Sequence, residues 1–292
     1  MRVKAVDKNF SKMIKTLQEA IDEPKQINGQ FRQNITINCN NAVIKNDKLD
    51  FEFSIPFDDD TEPNEAEFTI YNLSDTTIEQ FKNNAVITVI AGYQNDTGVI
   101  FSGRISNKKT RFEDTDKITK IYAIDDVSLK ERNVENVAYA AGVKASYVLR
   151  DLVNRLGLPI AIFSIRRDVV LENETTIDGS VMESIKQYAE MCGVSAYILK
   201  GNVYVQDIRQ AKHINFTVSE NTGLIGTPEE FEEETESETI KGYNINMLLQ
   251  HRMQTGAVIN LTSRNVNGKF AVRKGQHTYD GLSAVTEIEV IE

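Results

Sequence analysis

The strongest constraint on the fold of this chain is an alternation of apolar and polar residues between residues 33 and about 126. Successive side chains of a β-strand point to opposite faces, so the pattern indicates strands with one buried face and one face in water. Further strands are predicted over residues 85–91, 98–105 and 117–124. At least six strands at this spacing predict an antiparallel barrel or sandwich. The clearest apolar series are Ile35, Ile37 and Cys39; Leu49, Phe51, Phe53 and Ile55; and Ala66, Phe68 and Ile70.

The middle third of the chain predicts a small α+β module instead. Apolar residues recur at helical spacing over residues 147–156, and a glycine and a proline follow them. A capping box, Ser180-Val-Met-Glu183, opens a second helix that ends before Gly193. The helices precede a hairpin whose turn, Lys200-Gly201-Asn202, suits a backbone with positive φ.

Strand patterning returns after Lys212, but with too few strands for a barrel unless other segments complete it. The acidic stretch Glu229–Glu238 precedes these strands and is predicted as a solvated loop. The alternative is a flexible acidic segment that orders against a basic partner surface. The predicted strands are Thr239–Asn246, Ala257–Thr262, Gly268–Lys274 and Ala284–Ile291.

An amphipathic helix is predicted near the N-terminus, over residues 8–22. Its apolar stripe packs either on its own chain or on a neighbouring subunit, and it has no obvious place in either barrel. The candidate subunit-interface residues on this stripe are Phe10, Met13, Leu17 and Ile21.

The predicted fold class is therefore mainly β with an α+β insertion. It consists of two antiparallel β-barrel-like domains and a small helix–helix–hairpin module. The predicted boundaries are 1–27 for the N-terminal helix or arm, 28–135 for the first barrel domain, 136–210 for the module and 211–292 for the second barrel-like domain.

Charge and composition exclude several classes of partner. Lys and Arg total 33 against 43 Asp and Glu, a net charge of −10, which argues against nucleic acid or an anionic membrane as the main partner. No apolar run is long enough to span a membrane, and the N-terminus lacks the core of a signal peptide. Two cysteines, Cys39 and Cys192, exclude a disulfide framework and fit buried free thiols in a protein made in a reducing cytoplasm.

No catalytic, cofactor-binding or metal-binding constellation is evident in the sequence. It contains no phosphate loop, nucleophile elbow or zinc-protease motif. The histidines, His213, His251 and His277, have no partner at metal spacing and are predicted to be structural or exposed. Asp58–Asn64 lacks the glycine of a calcium loop and is predicted as a solvated turn.

Two longer segments resemble a known family, the baseplate hub proteins of phage tails. The first combines a strand, a turn, a short helix and two further strands; the second combines a strand, a loop and a returning hairpin. The resemblance covers roughly residues 30–292, with the helix–helix–hairpin module in the family's usual position. The first segment contains Glu67-Phe-Thr-Ile-Tyr-Asn-Leu-Ser74, Thr77-Ile78, Phe81, Val86-Ile-Thr-Val-Ile-Ala-Gly-Tyr93 and Ile100-Phe-Ser-Gly-Arg-Ile105. The second contains Glu238-Thr-Ile-Lys-Gly-Tyr243, Leu248-Leu249, Thr255-Gly-Ala-Val-Ile259, Val266-Asn-Gly-Lys-Phe270 and Gly275-Gln-His277.

This resemblance implies a structural protein that is not an enzyme and needs no cofactor. The implied assembly is a homotrimer around the tail axis, whose pseudo-sixfold face meets a hexameric tail tube and which holds a spike or tail-tip protein below. The implied location is the tail or baseplate of a virion or of a phage-tail-like bacteriocin, made in the bacterial cytoplasm; the hub part of type VI secretion spikes is similar. The alternative is a cell-wall-acting hydrolase or a carbohydrate-binding tail module.

Overall fold

Apolar alternation builds the strands of the first half of the chain. The computed structural model describes residues 33–60, 62–125, 133–211, 213–234 and 239–292. The strands pair antiparallel in the order β3-β4-β7-β6-β5-β1-β2, and Ser74 caps a short helix, α1 (Asp75–Ile78). The strands are β1 (Gln33–Cys39), β2 (Ala42–Lys45), β3 (Phe51–Phe57), β4 (Glu65–Tyr71), β5 (Val86–Tyr93), β6 (Asp96–Glu113) and β7 (Asp116–Ile124).

These seven strands curl around a single apolar core. Ile37 and Ile44 come from the β1–β2 end of the run, and Phe53 and Phe68 come from the β3–β4 end, yet all four belong to one buried cluster. Among the described residues no ladder joins β2 to β3, so the curl is barrel-like without closing. The predicted alternation of Phe51, Phe53 and Ile55 toward the core is confirmed.

The C-terminal part of the chain forms a second curled region with its own core. Its strands run in the order β14-β15-β18-β17-β16-β13, and only the β13–β16 pair is parallel within it. The strands are β13 (His213–Val218), β14 (Leu224–Glu234), β15 (Thr239–Leu248), β16 (Val258–Thr262), β17 (Asn267–Tyr279) and β18 (Ala284–Ile291).

Strand β17 joins the two curled regions into one sheet of thirteen strands. Its residues 267–271 pair with β16, whereas its residues 275–279 pair with β3 of the first region. A register shift between Val272 and Lys274 separates these two stretches. Because one strand belongs to both ladders, the regions are continuous through backbone hydrogen bonds.

The module between them packs two helices against short strands around a third apolar cluster. Leu149 and Leu152 of the first helix and Ile185 of the second are buried there. The Ser180 hydroxyl accepts a hydrogen bond from the amide of Glu183, which confirms the predicted helix start. The elements are β8 (Asn133–Tyr139), α2 (Ala145–Arg155), β9 (Ile160–Phe163), β10 (Thr175–Ser180), α3 (Val181–Met191), β11 (Ser195–Leu199) and β12 (Asn202–Gln206).

The predicted fold class, mainly β with a helical part, is confirmed. Six strands, β2, β8, β9, β10, β13 and β14, have no counterpart among the predicted elements. Residues 229–234 of the acidic stretch lie in β14 and pair with β15, so the prediction of a solvated loop was wrong for them. The domain boundaries predicted from the sequence stay a prediction.

Candidate assembly surface

The predicted subunit-interface residues lie outside the described residues. They are Phe10, Met13, Leu17 and Ile21. The polar clusters that the structure does describe join distant parts of the chain, and they show which side chains are already engaged within one copy.

Arg273 of β17 is the centre of the largest ionic cluster. Its Nε lies 3.4 Å from Asp59 Oδ1, and its Nη1 lies 2.5 Å from Glu233 Oε2 and 3.1 Å from Glu289 Oε1. Ser195 of the module donates its hydroxyl hydrogen to Asp59 Oδ2 at 3.1 Å. The cluster therefore ties the module to both curled regions.

The sequence predicts a solvated turn over Asp58–Asn64, but Asp59 is largely buried. Its side chain is 19% exposed, and Arg273 is its ionic partner. Burial raises the pKa of the Asp59 carboxyl, and the positive charge of Arg273 opposes that rise. The neighbouring Thr255 hydroxyl donates to the Asp58 carbonyl at 2.8 Å. Asp58 and Asp59 therefore make polar contacts with residues of the C-terminal region.

A cavity of about 1000 Å³ opens beside this cluster, between the module and the sheet. Arg167 on its wall donates to the carbonyl oxygens of Met191 and Glu190, which end helix α3. Arg209, which also lines the cavity, donates to the carbonyl oxygen of Glu292. Both guanidinium groups bind the chain's own backbone. The Arg167 bonds lie within the module, and the Arg209 bond joins the end of the module to the C-terminal residue.

A second cluster joins the turn between β5 and β6 to the segment that follows β15. Arg252 binds both carboxylate oxygens of Asp96, and His251 Nε2 lies 3.1 Å from Asp96 Oδ1. The hydrogen bond from Arg252 holds the pKa of Asp96 down at about 2, although burial opposes this. The contact could not be predicted from the spacing of residues in the sequence, because it joins residues more than 150 positions apart.

His277 and both cysteines are buried inside the protein. His277 is 1% exposed, and its ring nitrogens lie 2.8 Å from Thr286 Oγ1 and 3.2 Å from the Met253 carbonyl oxygen. Burial raises the pKa of the Cys39 thiol to about 11, and it also raises the pKa of Cys192. Burial therefore favours the protonated, less reactive form of both thiols.

Two searches of the described part of the chain gave negative findings. It contains no group of three or more His, Cys, Asp or Glu side chains that could hold a metal ion. In the same residues, no helix has the length and apolarity needed to cross a bilayer.

The acidic strand β14 and the tip of the β6–β7 hairpin are the most exposed parts of the sheet. Glu229, Glu230, Glu232, Glu233 and Glu234 are all exposed on β14. On the hairpin, Phe112 is 75% exposed, and residues 109–113 all face water. Glutamates on an outer strand discourage uncontrolled pairing with other sheets.

The fold is that of tail proteins from phages and related devices. A prophage MuSo2 43 kDa tail protein from Shewanella oneidensis is 7% identical with a TM-score of 0.64, over 89% of this chain and 98% of that one. A tail protein from Neisseria meningitidis is 8% identical with a TM-score of 0.61, over 89% and 96%. A type VI secretion component from E. coli is 8% identical with a TM-score of 0.57, over 87% and 76%. At these identities the likeness is one of fold.

The sequence itself places the chain in a family. The family described as Baseplate hub gp41 matches residues 65–280, which is most of the chain. A comparison with curated proteins found no match. The chain belongs to the baseplate hub gp41 family and is a structural hub protein of a tail, as the resemblance in the sequence implied.

Proposed function

We propose that three copies of this chain form a ring around the tail axis, and that the ring joins the tail tube to a spike or tail-tip protein. Membership of the baseplate hub family supports this role. The observation that carries the proposal is β17, which fuses two curled β regions into one sheet. A ring of three such subunits offers two β regions per chain, and so matches the sixfold symmetry that the hub resemblance implies for the tube.

The predicted domain organisation belongs to this proposal. Residues 28–135 and 211–292 supply the two β regions, residues 136–210 form the module, and residues 1–27 are an arm. The stripe of Phe10, Met13, Leu17 and Ile21 on that arm contacts another subunit. Burial of four such side chains is worth about 1.5–3 kcal/mol each before ordering costs, which is enough to influence association.

The proposed role includes no catalysis. The rival, a hydrolase acting on cell walls, needs two carboxyl groups across an open cleft. Asp58 is the group that best fits the rival, because burial and the charge of Asp60 raise its pKa to about 6. It lines a cavity of about 450 Å³ together with Glu229, Glu287 and Glu289. Of these three, Glu289 is bound by Arg273 and Lys274. Two ion pairs therefore already engage Glu289, the carboxylate of this cavity closest to Arg273.

The mass of the full chain in solution tests the proposal. A trimer of the 32.9 kDa chain is expected by light scattering or sedimentation equilibrium. A chain that stays monomeric over the whole accessible concentration range contradicts the ring. Release of sugar or peptide from peptidoglycan that Asp58→Asn abolishes would support the hydrolase instead.

A further inference from the structure

Two strand edges of the thirteen-strand sheet are open within one copy. Strand β14 ends the sheet and pairs only with β15. The second half of β6 pairs with β7, but its ladder with β5 ends at Arg104, so residues 107–113 have no second neighbouring strand among the described residues. Six strands lie between the two edges in the sheet order, and no ladder of the described residues joins them.

The open edge of β6 presents free backbone groups. Lys117, which lies opposite Phe112 in the hairpin, uses its backbone amide and carbonyl to bind Asn72. Phe112 and Lys117 are therefore not hydrogen-bonded to each other, and the backbone groups of Phe112 point to the open side. Since this direction alternates along a strand, those of Thr110 point there as well. Residues 109–113 are exposed on both faces of the strand.

Strand β14 presents free backbone groups in the same way. The Lys241 carbonyl accepts a hydrogen bond from the Glu292 amide, on the β18 side of β15. Glu232, which lies opposite Lys241, therefore directs its backbone groups away from β15. Those of Glu230 and Glu234 follow by the same alternation. An open strand edge of this kind is a template for pairing with another strand.

The two edges carry opposite charge. Five of the six residues 229–234 on β14 are glutamates, and all five are exposed. On β6, three of the four residues 108–111 are cations, namely Lys108, Lys109 and Arg111. Arg111 pairs with Glu113 at the tip of its own hairpin, but both side chains are more than half exposed, so water screens this pair.

Charge disfavours the other pairings open to β14. A second β14 would place glutamates opposite glutamates, and like charges directly opposite each other on neighbouring strands are destabilising. The other two end strands of the described sheet have no cluster of cations, since β2 has Lys45 alone and β13 has neither Lys nor Arg. Among the open edges of the described sheet, β6 therefore suits β14 best.

We propose that the open edge of β6 in one copy pairs antiparallel with β14 of a neighbouring copy. The inference rests on the proposed ring and adds a strand-to-strand contact between its subunits. The register places Thr110 opposite Glu232, because both direct their free backbone groups to the open side. Lys108 then lies opposite Glu234.

The occupant is a second copy because each subunit carries one cationic edge and one acidic edge that do not pair within it. A contact between two different surfaces of identical subunits generates a ring when the rotation between copies closes. The glutamates select the cationic edge and discourage β14 from pairing with itself, so charge sets the partner and backbone hydrogen bonds hold it.

Disulfide trapping in the full chain tests the pairing. The variant Thr110→Cys/Glu232→Cys should give covalent dimers and trimers under mild oxidation on a non-reducing gel. The matched control, Thr110→Cys/Glu135→Cys, moves the second thiol to an exposed glutamate position on β8 and should give few of them. The native thiols Cys39 and Cys192 are buried and contribute little background.

Light scattering on the unmodified chain separates failure of this contact from failure of the ring. A trimer whose test variant gives no disulfide overturns the strand pairing and leaves the proposed ring intact. A monomer overturns both. A disulfide within one chain shows that the two edges meet in their own subunit and overturns pairing between copies. Equal trapping by the control overturns the assignment of the edge.

Reversal of charge gives an independent test. Lys109→Glu/Arg111→Glu should raise the dissociation constant of the trimer about tenfold or more, because like charges then face each other across the contact. Lys48→Glu/Lys186→Glu reverses two exposed lysines away from both edges and should change it by less than about twofold. Thermal unfolding checks that both variants fold. Equal dissociation constants overturn the proposal.

Rescue within one chain completes the test. Glu229→Lys/Glu234→Lys, added to Lys109→Glu/Arg111→Glu, places opposite charges on the two edges again. The dissociation constant should return to within about threefold of its original value. A combined variant that stays as weak as the first reversal contradicts pairing between these two edges.

Discussion

Arg252 and Asp96 lie 156 positions apart in the chain, yet they form a two-pronged ion pair. Nη1 donates to Oδ2 at 2.8 Å, and Nη2 donates to Oδ1 at 2.7 Å. Gly98 makes room for His251 beside them, since a Cβ at that position would lie 2.2 Å from His251 Nδ1. The pair fastens the β5–β6 turn to the segment between β15 and β16.

The first prediction concerns this pair. Arg252→Met should lower the free energy of unfolding by about 1–2 kcal/mol, because a bidentate charged pair is lost but solvent already screens it. The Arg252 and Asp96 side chains are 36% and 42% exposed. The control is Arg264→Met, which breaks the exposed pair with Glu220 and should cost less than about 0.5 kcal/mol. Urea unfolding measures both, and equal costs would contradict the role of the pair.

The second prediction concerns pH. Burial lowers the pKa of His277 to about 3, whereas an unfolded histidine titrates near about 6.5. Below pH 6.5 the unfolded chain takes up a proton that the folded chain does not. Stability from this site is therefore complete above about pH 6.5 and falls by up to about 1.4 kcal/mol per pH unit towards pH 3.

Chemical unfolding at several pH values between 7.5 and 5 measures this effect. His277→Gln, which has no proton to gain, should show a correspondingly shallower fall in the free energy of unfolding. Parallel pH profiles for the two proteins would mean that His277 has the same pKa in the folded and unfolded chains, and would contradict the prediction.

The third prediction concerns the core of the first region. Phe53 is 4% exposed and packs against Phe68 and Tyr279, so Phe53→Ala should cost about 3–5 kcal/mol through lost burial and a residual cavity. Glu52, the next residue, faces water. Glu52→Ala should change the free energy of unfolding by less than about 0.5 kcal/mol. Similar losses at both positions would mean that the register of β3 is wrong.

The fourth prediction concerns the arm. Removal of residues 1–27 should leave the β-sheet signal in circular dichroism unchanged and should shift the chain from trimer to monomer. The physical reason is that the apolar stripe is lost while β1 and its ladder remain. Light scattering measures the mass. A truncated chain that still forms trimers refutes the interface role, and one that fails to fold places the arm in the core of its own subunit.

Local patterns predicted the first region well, because burial of one sheet face leaves a period of two in the sequence. Ile35, Ile37 and Cys39 are all buried as the alternation indicates. Strands that lack one buried face and one exposed face do not show this alternation, so the sequence does not predict them. Strand β8 buries only Tyr139, and β14 buries only Leu224 and Pro228, so neither shows alternation.

The long-range contacts could not be predicted from local sequence. Asp59 and Arg273 meet only because β3 pairs with β17, and that pairing joins two halves of the chain. Their side chains look like ordinary surface charges in the sequence. The family was predictable because its motifs are local segments with a fixed order, such as the Tyr71-Asn-Leu-Ser74 turn.

Strand β17 has a mechanical consequence. It pairs with β3, β16 and β18, so no flexible linker separates the two curled regions at this point. A pull on one region is passed to the other through rows of backbone hydrogen bonds that share the force. We therefore expect the two regions to move as one stiff body under load.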